Sequence, residues 1–71
     1  MNKLYPIWKV DSKRYKHSIA GHTYFDSKER AEAFIENQKK YWSDWIYSKP
    51  EYIGSFKKEN AEILLGYQIE E

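Results

Sequence analysis

The 71-residue chain has no cysteine, only two prolines and only three glycines, Gly21, Gly54 and Gly66, set far apart. Without cysteine there is no disulfide and no thiolate zinc site. Without clustered glycines there is no phosphate-cradling loop. No stretch approaches the roughly 18 consecutive apolar residues that a membrane span requires. No apolar run follows Lys3, so a signal peptide is not expected. Only two histidines occur, His17 and His22, and neither H-x-x-x-H nor H-E-x-x-H is present. A metal site, which usually needs three or four protein ligands, is therefore not expected. Together these absences point to a cytoplasmic protein with no cofactor.

Charge of one sign is also lacking overall, with a net of +1, but the charge is unevenly placed. Residues 1–22 hold five cations against Asp11 alone, whereas residues 23–71 hold seven basic and ten acidic side chains. A uniformly acidic mimic of DNA is excluded. A basic patch of Lys9, Lys13, Arg14 and Lys16 remains as a candidate nucleic-acid contact, interleaved with Trp8 and Tyr15. The pI of about 7.9 is low for a dedicated nucleic-acid module.

Aromatics are abundant: three Trp, seven Tyr and three Phe. One domain at most fits in this length, and its core is expected to be aromatic. Residues 26–47, DSKERAEAFIENQKKYWSDWIY, read as one long amphipathic helix. Ala31, Phe34, Ile35, Gln38, Trp42, Trp45 and Ile46 recur at three- and four-residue spacing on one face. Asp26 is the expected cap, with Glu29 completing a capping box, and Pro50 the expected stop. Residues 4–10 are aromatic and β-branched enough for a strand. Asp11 to Arg14 is polar and turn-like, and 15–20 reads as the second strand of a hairpin, with Tyr15, His17 and Ile19 on one face. Residues 52–56 are ambiguous. In 61–70, Ile63, Leu65, Tyr67 and Ile69 alternate as in a strand, although Ile63-Leu64-Leu65 can also open a short helix. The expected fold is α+β, in the order β-β-α-(β)-β: a small antiparallel sheet, made of an N-terminal hairpin and a C-terminal strand or strands, packed on one long helix. Phe34, Ile35, Trp42 and Trp45 are expected in the core against Ile7, Ile19, Leu65 and Tyr67.

Chemistry is harder to find. A Ser-His-Asp set exists only as composition, and Ser18 beside His17 on a strand would face the other way. Glu29, Glu32 and Glu36 read as a solvated helix surface. Catalysis is not expected. Tyr41, Tyr47 and Tyr52 surround the end of the expected helix, with Tyr47 pointing away from the apolar stripe and Lys40 and Asp44 at the rim. Tyrosines so placed suit a protein interface.

The stretch TYFDSKERAEAFIENQ, residues 23–38, resembles a recurring element of small uncharacterised proteins from phages and mobile elements of Gram-positive bacteria. In that element a strand ends in an aromatic, an Asp/Ser cap follows, and an Ala/Glu-rich helix begins. It covers about a quarter of the chain. It implies no catalytic residue. It implies a stoichiometric binder of a larger host protein, such as an inhibitor of a host defence system. A small nucleic-acid-binding protein using the basic hairpin is the alternative.

Overall fold

A computed structural model describes residues 3–14, 16 and 20–70. Tyr15, His17, Ser18 and Ile19, expected on the second hairpin strand, lie outside the described residues. The chain is α+β: among the described residues there are a four-stranded antiparallel sheet and two helices. Its dimensions are 47 × 21 × 18 Å.

β1, Leu4–Arg14, is the spine of the sheet, since every other described strand pairs with it. β2, Ala20–Phe25, pairs with one edge of β1 from Trp8 to Lys13. β3, Trp45–Tyr47, and β4, Glu51–Lys57, pair with Ser12–Arg14 and Leu4–Lys9 respectively. A strand has two edges, and Trp8, Lys9, Ser12 and Lys13 each pair on both. β3 and β4 therefore lie end to end along the edge opposite β2. Pro6 pairs with Ser55 of β4 at a position β2 does not reach, so its missing N–H disrupts no ladder on that side.

This arrangement corrects the expected turn at Asp11-Ser12-Lys13-Arg14. These residues continue β1, because neighbours on both edges satisfy the backbone of Ser12 and Lys13. Beyond β1, Lys16 takes a left-handed conformation with φ 63°.

The helix expected over 26–47 is shorter: α1 spans Lys28–Tyr41. Ser27, not Asp26, is the cap, and its Oγ accepts from the Arg30 N–H at 3.1 Å. Trp42 leaves helical angles at φ −130° while its N–H still donates to the Gln38 carbonyl at 2.8 Å. Trp45-Ile46-Tyr47 then joins the sheet, as its aromatic and β-branched side chains favour. Pro50 stops nothing, since the helix has already ended.

The C-terminal strand expected over 61–70 is also corrected. Residues Lys58–Leu65 form a second helix, α2. Ala61, Leu64 and Leu65 share a helical face at three- and four-residue spacing. Ala61 is fully buried and the two leucines are half-buried, whereas Ile63 is 78% exposed. Gly66 closes α2 at φ 82°, donating to the Glu62 carbonyl at 2.8 Å. Only glycine reaches that region at little cost.

Among the described residues the fully buried ones are Ile7, Val10, Ala31 and Ala61. Alternation along β1 sends Trp8, Val10, Ser12 and Arg14 to one face and Ile7, Lys9, Asp11 and Lys13 to the other. Phe34 of α1 lies 5.1 Å from Phe25 and 6.1 Å from Tyr47, which places α1 over the Val10 face. α2 touches β1, β2 and β4. Phe34, Ile35, Trp45 and Leu65 are only half-buried, and Trp42 and Tyr67 are exposed, so the aromatic core is shallower than its sequence pattern suggests. Among the described residues no helix is long and apolar enough to cross a membrane.

Candidate binding surfaces

The end of α1 is built from a helix terminus and a strand that faces it. Tyr41 is the last helical residue and is 73% exposed; Trp42, the next residue, is 54% exposed. Lys40 is exposed beside them. Asp44 holds the turn that follows, because its Oδ2 accepts from Arg14 Nε at 2.8 Å. This ion pair is half-exposed on both sides and is worth about 1 kcal/mol or less. Its role is positional, tying the α1–β3 turn to the end of β1. Between α1 and β3 lies a cleft of about 430 Å³, lined by Phe34, Gln38, Trp42, Trp45 and Tyr47 and by the Arg14–Asp44 pair.

Tyr47 sits differently from its expected outward position. It belongs to β3, is half-buried, and meets the Phe34 ring edge-on. The cause of the difference is the early end of α1: on a strand, Tyr47 shares a face with Ser12, beneath the helix. Removal of water raises the pKa of its hydroxyl above the ordinary tyrosine value, and the negative charge of Asp44 adds to this.

Tyr52 is not part of this cluster. It lies on β4 opposite Trp8, with ring centroids 5.3 Å apart, and its hydroxyl shares a hydrogen bond with Ser55 Oγ at 2.7 Å. Tyr47 pairs at Ser12 and Tyr52 at Trp8, four β1 residues away, so they stand about 13 Å apart along the strand. The expected trio of Tyr41, Tyr47 and Tyr52 is thus dispersed. The exposed neighbour of Tyr41 is Trp42, which helical periodicity had placed in the core. The signal that could have found it is the Ser43-Asp44 pair behind it, a turn sequence inside the expected helix.

The basic candidates are divided as well. Lys9 and Lys13 share one face of β1, Arg14 the other. Lys9 Nζ is 3.8 Å from Asp11 Oδ1 and pairs across the ladder with Glu51. Arg14 is engaged by Asp44. Lys13 and Lys16 are exposed. Acidic groups interrupt what would have been a positive stripe. On the same face as Lys9, His22 and Tyr24 of β2 form an edge-on ring pair at 5.2 Å.

A further cleft, of about 750 Å³, runs between β2 and α1. At its end the Tyr67 hydroxyl donates to Asp26 Oδ2 at 3.0 Å, and Arg30 Nη1 lies 3.5 Å from the same oxygen. Desolvation raises the Tyr67 pKa first, and the hydrogen bond and charge of Asp26 raise it further, against the opposing effect of Arg30. Among the described residues no group of three or more His, Asp or Glu side chains is placed to hold a metal ion.

No family model matches the chain, and no curated protein or solved structure matches it.

Proposed function

We propose that this chain is a non-enzymatic binding protein that engages and modulates a larger protein through the end of α1. The observation that carries the reading is the exposed pair Tyr41 and Trp42 beside the cleft that Arg14 and Asp44 frame. Large aromatics held at a helix terminus, with an arginine beside them, have the composition of interface hot spots. Their rotamers are few, so binding costs little side-chain entropy. The resemblance at residues 23–38 supports a concrete form of the proposal, a phage-encoded inhibitor that sterically occupies a surface of a host defence protein in the cytoplasm. The test begins with recovery of the partner from host lysate on the immobilised wild-type chain. Affinities of Tyr41→Ala, Trp42→Ala and Tyr52→Ala for that partner then follow. At least one of the first two should lose about 2 kcal/mol or more. Wild-type affinity in both would move the interface elsewhere.

The second reading is nucleic-acid binding on the opposite sheet face. It draws on Lys9 and Lys13 beside the His22–Tyr24 ring pair, an arrangement suited to stacking bases and tracking phosphates. Asp11, paired with His22, and Glu51, paired with Lys9, weigh against it. Submicromolar, salt-sensitive binding at physiological salt, lost on charge reversal of Lys9 and Lys13, would promote this reading to first place.

A further inference from the structure

β2 closes its side of the sheet. β1 pairs with one edge of Ala20–Phe25, and among the described residues no strand pairs with the other. Proteins commonly shield such an edge with Lys, Pro, a bulge or a covering segment. β2 reads AGHTYF, without Lys, Arg, Asp, Glu or Pro, and it runs against β1 without a register shift. Its first four residues are exposed. Directly beside it lies the cleft of about 750 Å³ between β2 and α1. Phe25, Ala33, Phe34 and Leu65 give this cleft an apolar lining, and Glu36 and Lys40 stand along its α1 side.

Two independent features therefore coincide: a regular, uncharged strand edge and, beside its Thr23–Phe25 half, a cleft whose apolar floor lies among polar and charged walls that include Asp26 and Arg30. The edge supplies peptide N–H and C=O groups at strand spacing, which only an extended backbone can match. The cleft supplies room for side chains from one face of that backbone. Strand addition uses this division of labour, with main-chain hydrogen bonds giving affinity and side-chain pockets giving selectivity. We propose that β2 and the adjoining cleft accept an extended segment of a partner protein as an added strand, with apolar side chains at alternate positions entering between Phe25 and Ala33. This rests on the reading of the chain as a protein-binding domain, but uses the other flank of α1 from the Trp42–Trp45 cleft, the two clefts sharing only Phe34.

The probe is a displayed library of random linear nine-residue peptides selected on the immobilised full chain. Enriched peptides should show apolar residues at alternate positions. Synthetic copies should protect backbone amides of residues 20–25 from hydrogen exchange. Ala33 is exposed on α1 and lines the cleft, so Ala33→Trp should fill it without disturbing the sheet. It should weaken peptide binding on the order of tenfold or more, with an unchanged melting curve. Tyr41→Ala and Trp42→Ala should leave peptide affinity unchanged, so failure at the aromatic end is read separately from failure here. The proposal is overturned by any of three results: no enrichment, bound peptide that neither protects 20–25 nor responds to Ala33→Trp, or a dimer in which a second copy already protects those amides.

Discussion

Replacing Ile7 by Ala and Trp42 by Ala separates the observed architecture from the helical pattern that the sequence suggests. Ile7 is fully buried, opposite Gly54 on β4. The substitution removes three carbons, worth about 0.8 kcal/mol each in transfer, or about 2.4 kcal/mol together. The cavity left behind adds to this, for a total of about 3–4 kcal/mol. Trp42 is 54% exposed, and its helix-closing N–H survives in alanine. A buried Trp→Ala costs roughly 3–5 kcal/mol; half-exposed, Trp42 should cost about 1–2. A chain of this length holds roughly 4–11 kcal/mol in all. Urea unfolding followed by far-UV circular dichroism resolves the two variants. With a slope of about 1 kcal/mol per molar, Ile7→Ala should lower the midpoint by about 3 M and Trp42→Ala by no more than about 2 M. Destabilisation by Trp42→Ala as large as that by Ile7→Ala would refute this arrangement, because α1 would then bury its C-terminal end.

Gly66→Ala should cost about 1 kcal/mol, measured by the same unfolding curves, because φ 82° strains any side chain even though the space around a new Cβ is open. Tyr47 and Tyr67 have raised pKa values, so the folded state holds its phenolic protons more tightly than the unfolded state. Their contribution to stability is complete below the ordinary tyrosine pKa of about 10 and is lost as pH rises through the folded values. Unfolding free energy should therefore fall more steeply above pH 10 in the wild type than in a Tyr47→Phe, Tyr67→Phe double variant. Equal slopes would show that neither hydroxyl is perturbed.

The sequence by itself determined the elements whose signals are local. The start of α1 is marked by Ala31, Phe34 and Ile35 at helical spacing, and these do turn inward, Ala31 completely, although the cap is Ser27 rather than Asp26 with a Glu29 capping box. The strand character of residues 4–10 was legible in Leu4, Ile7, Trp8 and Val10. Of the tyrosines read as an aromatic end, Tyr41 alone is exposed at the end of α1. Tertiary structure decided the rest. Trp45 and Ile46 continue the helical spacing of α1, and only pairing with Lys13 and Arg14, some thirty residues earlier, makes them a strand. Asp11 to Arg14 have turn composition, but partners on both edges draw Ser12 and Lys13 into the sheet. Ile63, Leu65, Tyr67 and Ile69 imitate a strand because alternation and helical spacing overlap in so short an apolar run; Gly66 and buried Ala61 favour the helix. Periodicity reports which face of a segment is apolar. Which backbone edge is left for that segment to pair with is set by residues distant in sequence, and that choice exposed Trp42, turned Tyr47 under α1 and left β2 with an edge that no other described strand pairs.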